Sequence, residues 1–202
     1  MSKIIKKLMI SNEDVDDHSD EKQKIVSVIN NNELYFYEGI NPSSILLINK
    51  NIGDLSRHML ITQITFDLPE PPHIKLHINS DGGEVFSALS LVDRIRSSKV
   101  PIHSYSEGLV ASAATLISVS CQKRYIRRNT IFLIHQVRSW FEGTYEDLKD
   151  EKQNMDLIMK IVKDIYLKHT KFKEEELDEL LKRDIYLNAD DAIRYGLADE
   201  II

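Results

Sequence analysis

The chain has 202 residues, 42% hydrophobic and 29% charged, which gives one domain with at most an appendage and enough apolar residues for a sizeable core. Its 26 Lys and Arg against 32 Asp and Glu leave a formal charge of −6, which argues against a protein that tracks nucleic-acid phosphates. A single cysteine, Cys121, excludes an intramolecular disulfide and fits a reducing compartment, and no run nears the roughly 18 apolar residues of a membrane span.

Residues 1–32 differ from the rest. Lys6 and Lys7 interrupt the apolar start, so no secretory signal is expected and the chain reads as cytoplasmic. Glu13, Asp14, Asp16, Asp17, Asp20 and Glu21 then follow with Val15 as the only apolar residue among them. The run has neither the central glycine nor the correctly spaced glutamate of a calcium loop, and reads as a solvated, mobile acidic segment. The compact domain is expected over residues 33–202, after Asn30-Asn31-Asn32.

Within it, strand-like runs alternate with helical stripes. Ile45-Leu46-Leu47-Ile48 reads as a short buried strand, and Leu55, Met59, Thr62 and Phe66 as a helix, with Ile61 less in phase, stopped by Pro69-Glu70-Pro71-Pro72. Ile74-Lys75-Leu76-His77-Ile78 alternates as a strand, and Val85, Leu89, Val92 and Ile95 give an amphipathic helix. Further strands are expected at residues 100–105, 124–126, 131–134, 185–187 and 197–202. Thr144 opens a long helix through Leu148, Met155, Ile158, Val162 and Ile165. Residues 174–181 give another helix, and a last one runs from Asn188 to Gly196. Such alternation implies an α/β domain with mainly parallel strands.

Three junctions carry residues suited to chemistry. Asn79-Ser80-Asp81-Gly82-Gly83 links a strand to a helix, where exposed amides can make an anion or oxyanion site, though a Gly-Gly pair by itself is more often a plain tight turn. No Gly-x-Gly-x-x-Gly or Gly-Lys-Ser supports nucleotide binding. Ser112 sits among alanines at a strand-to-helix turn, which suits an accessible nucleophile or a closely packed helix. His135 ends an apolar strand, where an α/β site would hold a base, or where a structural histidine would stand. His73 and His77 can share a strand face but have no further ligand nearby, so no metal is expected. Many acids remain open as a third catalytic member; Asp184, at a helix-to-strand junction, is one, and a surface ion pair is its other role.

Taken together and in order, Asn-Ser-x-Gly-Gly, Gly-x-x-Ala-Ser-Ala-Ala, Ile-His-Gln and the run from Arg183 to Asp199 resemble the ClpP family of serine peptidases, over residues 74–202 and more loosely back to residue 34. The resemblance implies a ClpP/crotonase-like superfold of repeated β-β-α and βαβ units with a protruding handle helix. It implies Ser112 as nucleophile, His135 as general base, Asp184 as the acid that orients it, and the amides of Gly83 and Ala113 as the oxyanion hole. The segment around Gly143 matches the strand-and-helix handle by which rings stack, and Arg183 matches a position of ring-ring contact. Family members form heptameric rings paired into a tetradecamer. The resemblance therefore implies self-association into stacked rings, a Clp-type AAA+ ATPase unfoldase as partner, and peptides or unfolded proteins as substrates. No cofactor, nucleic acid or membrane is implied.

Two positions depart from the family: Asp81 and Val137 stand where proline is usual. An acid close to an oxyanion site would weaken it. The alternatives are a catalytically silent ring subunit with a scaffolding or regulatory role, and an acyl-CoA hydratase or isomerase of the crotonase superfold.

Overall fold

The computed structural model describes residues 27–202, so the acidic run at residues 13–21 lies outside it. The chain opens on a hairpin of β1 (Ser27–Asn30) and β2 (Glu33–Phe36), turned by Asn31 at φ 56°, a left-handed conformation that asparagine tolerates. Helix α1 (Pro42–Thr65), β3 (Ile74–Ser80), α2 (Val85–Arg96) and β4 (Ile102–Ala111) follow. Then come α3 (Ala113–Val119), β5 (Lys123–Ile126), β6 (Ile131–Ile134), α4 (Tyr145–His169) and α5 (Glu174–Leu181). The chain ends with β7 (Ile185–Leu187), α6 (Ala189–Tyr195) and β8 (Glu200–Ile201). No helix among the described residues is long and apolar enough to cross a membrane.

The strands form one sheet in the order β1-β2-β3-β4-β5-β8, with β6 on β4 and β7 on β6. All pairings are parallel except β1 with β2 and β6 with β7, as the alternation of strands and helices implied. The ten-residue β4 serves two neighbours in turn: Ser104 and Tyr105 face Arg124 and Tyr125 of β5, whereas Leu109–Ala111 face residues 131–133 of β6. The change of partner falls at Gly108, φ 61°, opposite a register shift in β3 between Ile78 and Ser80. Asn79 fixes this bend, its Oδ1 accepting from the Leu109 amide at 3.2 Å.

One prediction fails here. Residues 45–48 are not a strand but the first turns of α1, in which Ile45, Ile48, Ile52, Leu55 and Met59 are buried while Leu46 is 71% exposed. The start signal is Asn41-Pro42-Ser43-Ser44. The Asn41 side chain accepts from the Ser44 amide, the Ser44 hydroxyl accepts from the Asn41 amide, and Pro42 occupies the first turn. A run of four apolar residues has no period of its own, and the capping box outweighs it.

Leu34, Phe36, Leu76, Ile78 and Ile102 on one face of the sheet join Ile48, Ile52, Leu91 and Ile95 of the helices in a single core. Full burial of each such side chain contributes about 1.5–3 kcal/mol. On the other face the parallel register lines up Tyr35, His77, Tyr105 and Tyr125 as a continuous stack with centroids 4.3, 4.9 and 4.7 Å apart. Beside it His73 stacks on His103 at 4.2 Å, and among the described residues neither His73 Nε2 nor His103 Nδ1 has a hydrogen-bond partner. Burial above all, then the neighbouring His73 and Lys123, hold His103 down to about 4 from an ordinary 6.5. The unfolded chain therefore binds this proton more readily than the native one. His103 contributes its full stability above about pH 6.5 and loses it progressively as pH falls towards 4. Accordingly, the thermal midpoint should drop less steeply from pH 7 to pH 4.5 in His103→Gln than in the wild type; parallel slopes would exclude this account.

Candidate active site

The C-terminal ends of β3, β4 and β6 converge, and each delivers one element of the site. After β3, Gly82 (φ 97°) and Gly83 (φ 142°) adopt conformations closed to other residues. A Cβ on Gly82 would stand 2.7 Å from the Ala111 carbonyl oxygen and 2.7 Å from Ser112 Cβ, so the loop rests directly on the Ser112 turn. On its other side the loop bridges Ile40, whose amide donates to the Gly82 oxygen (2.7 Å) and whose carbonyl accepts from the Glu84 amide (2.9 Å). In such a parallel bridge the residue between, Gly83, turns its own N–H away from Ile40.

Ser112 follows β4 and caps α3 in a strained turn, φ 54° and ψ −128°. A non-glycine residue held there costs about 1–3 kcal/mol, which its surroundings must offset. Its amide donates to the Leu133 carbonyl of β6 at 2.8 Å. Its carbonyl accepts from the Thr115 amide (3.0 Å) and hydroxyl (2.6 Å), and the Thr115 hydroxyl also meets the buried Tyr166 hydroxyl of α4. The backbone of Ser112 is thus tied to β6 and to α4, while its Oγ makes no hydrogen bond among the described residues.

His135 follows β6, one strand over, because Ala111 pairs with Leu133. Its Nδ1 lies 2.7 Å from the Gln136 carbonyl oxygen. A carbonyl can only accept, so Nδ1 carries the proton and in the neutral ring the Nε2 lone pair is free. Gly83, Ser112, Ala113 and His135 line one cleft of about 660 Å³, whose further wall is apolar and includes Val85, Phe86, Met155 and Ile158.

Asp184 is not brought to His135. It is exposed, and its carboxylate accepts from the guanidinium of Arg138, a residue that lines the cleft. Its backbone nevertheless lies near: β6 and β7 run antiparallel with Ile134 opposite Ile185 as their last pair, so His135 and Asp184 are the residues next to that pair on the two strands. Arg138 was not foreseen, and a lone basic residue in a loop carries no periodic or motif signal that could have found it. Arg183 and Gly143 are exposed and lie outside the cleft. Around Gly143, residues 135–144 form no strand, so only the helical part of the handle is present. Thr144 caps α4, whose residues 145–150 are all exposed while Val162, Ile165 and Tyr166 are buried, so its first turns project from the body.

A protein-family model for Clp protease matches residues 19–202. The chain belongs to the Clp protease family. Over 170 residues it is 26% identical to the ATP-dependent Clp protease proteolytic subunit of Deinococcus radiodurans, a match spanning 82% of this chain and 83% of that protein. A ClpP1 mutant from Listeria monocytogenes shares the fold with a TM-score of 0.74 at 23% identity, over 85% of this chain and 91% of that one. The ClpP/crotonase-like fold implied by the motifs is therefore present. Against the usual Clp-family pattern, Asp81 proves to be exposed and does not line the cleft. Val137, which does line it, donates its amide to Met159 Sδ of α4 at 3.2 Å, a bond that proline could not make.

Proposed function

We propose that this Clp-family proteolytic subunit is a serine endopeptidase with Ser112 as nucleophile and His135 as general base, working inside a chamber of stacked rings. The observation that carries the reading is the pairing, in one cleft, of an unspent Ser112 hydroxyl on a strained turn with a histidine whose proton sits on Nδ1. In the reaction, Nε2 of His135 takes the Ser112 proton as Oγ bonds to the substrate carbonyl carbon. The carbonyl oxygen becomes an oxyanion facing the Gly83 and Ala113 amides. The peptide C–N bond then breaks, the leaving nitrogen takes the proton from His135, and an acyl ester remains on Oγ. Water attacks that ester, His135 removes its proton and returns it to Oγ, and the acid product leaves. Asp184, when it reaches Nδ1, adds a negative charge beside the imidazolium that forms.

The apolar wall of Val85, Phe86, Met155 and Ile158 supports peptides with an apolar side chain next to the scissile bond. Trp140, Tyr145, Leu148 and Leu157 expose large apolar surfaces on or before the projecting α4, which supports association through that element into stacked rings. Such a chamber would take small peptides, or chains fed in by a Clp-type ATPase, and the reading keeps the protein in the cytoplasm.

A fluorophosphonate probe tests the nucleophile. The assembled protein should gain one covalent adduct, found by mass spectrometry on the peptide that carries Ser112 and absent in His135→Ala. An assembled protein left unlabelled would remove the peptidase reading.

A further inference from the structure

The geometry points to Arg138 as a positioning residue that restrains catalysis by holding Asp184 away from His135. The inference rests on the serine-peptidase reading and goes beyond it by naming a competitor for the acid. Three observations converge. The Arg138 guanidinium, on the cleft wall, engages the Asp184 carboxylate. The β6–β7 ladder ends with Ile134 opposite Ile185, and His135 and Asp184 are the residues next to that last pair on the two strands. His135 Nδ1 meanwhile donates to the Gln136 carbonyl, a neutral acceptor occupying the place a carboxylate would take.

Two exclusive arrangements follow. In the one seen, Arg138 neutralises Asp184, and the Gln136 carbonyl keeps the His135 proton on Nδ1 but supplies no counter-charge to an imidazolium. In the other, Asp184 turns about its side-chain torsions, leaves Arg138 and accepts from Nδ1. The β6–β7 pairing itself is untouched, because both residues lie outside it. Arg138 and Asp184 side chains are 66% and 55% exposed, so the restraint is weak. An exposed ion pair biases an equilibrium by a factor of about two to five. Screening by salt lowers even that. Arg138 is thus a bias that a modest event can reverse, not a lock.

The test is a double-mutant cycle on the assembled full-length protein, with an apolar fluorogenic peptide. Arg138→Gln should raise kcat about two- to fivefold with KM little changed, and Arg138→Lys, which keeps the charge, should stay near wild type. In an Asp184→Asn background the same Arg138→Gln change should bring no rise. A fall in kcat, an unchanged kcat, or an equal rise in both backgrounds would overturn the inference, the last because Arg138 would then act on His135 or the cleft without Asp184. A crystal structure of Arg138→Gln gives a readout independent of turnover: Asp184 should lie within about 3 Å of His135 Nδ1. If neither wild type nor variant labels with fluorophosphonate, the peptidase reading fails by itself, and this structure still decides whether Arg138 holds Asp184.

Discussion

Ser112→Ala should fold and assemble like the wild type yet hydrolyse peptides roughly 10⁴-fold more slowly or worse, because the loss of a nucleophile in such a group costs about as much as the loss of the whole group. The two halves of this expectation have separate causes. The Ser112 Oγ has no hydrogen-bond partner among the described residues, and what holds the turn is backbone: the amide to Leu133 and the carbonyl to Thr115. Alanine keeps both and meets the same φ of 54°. Stability should therefore move by no more than about 0.5 kcal/mol. Thermal unfolding and sedimentation beside peptidase kinetics measure both halves. Turnover by Ser112→Ala equal to wild type would assign the activity to another nucleophile.

The second large effect belongs to a residue with no side chain. A Cβ on Gly83 would fall 2.2 Å from the Ile40 oxygen and 3.0 Å from the Ile40 nitrogen and carbon, all backbone atoms that cannot swing aside, and Gly83 sits at φ 142°. Gly83→Ala must push the loop off Ile40, breaking the bridge and displacing the amide proposed to face the oxyanion. The cost should be about 2–4 kcal/mol, a fall in thermal midpoint of roughly 5–15 °C, with kcat lower by about 10²–10³-fold. Gly53 is the control. It lies inside α1, and its added Cβ would meet only the Arg94 Nη2, the end of a flexible side chain. Gly53→Ala should be neutral or stabilising by up to about 1 kcal/mol. Equal effects at both glycines would refute the steric argument.

What could be read from the sequence and what could not separate along a physical line. The junctions at Gly82-Gly83, Ser112 and His135 were legible because each follows an apolar strand, and parallel strands must bring their C-terminal ends to one edge. The helices opened by Thr144 and Asn188 were legible because each cap satisfies amides that the helix leaves unpaired. Residues 45–48 were misread since period two and period 3.6 do not differ over so short an apolar run. The hairpin strands β1 and β2 were both missed, each of their four-residue runs carrying too little pattern. The partner of Asp184 was beyond reach for another reason. Arg138 is 46 positions away and meets it only because β6 and β7 pair, so the contact is a product of the fold. The motif marked Asp184 as a candidate acid; it could not say which cation competes for it.

The segment between His135 and α4 also carries the only tryptophan of the chain, Trp140, at 81% exposure. Tryptophan emission from this protein, excited where tyrosine does not absorb, is consequently a single-site signal, reporting from two residues past Arg138 and five before the projecting α4. Nothing needs to be attached to follow it: burial of that indole, whether by docking of another subunit or by rearrangement of the strip beside the cleft, registers as a change in emission, with no other indole in the chain to dilute it.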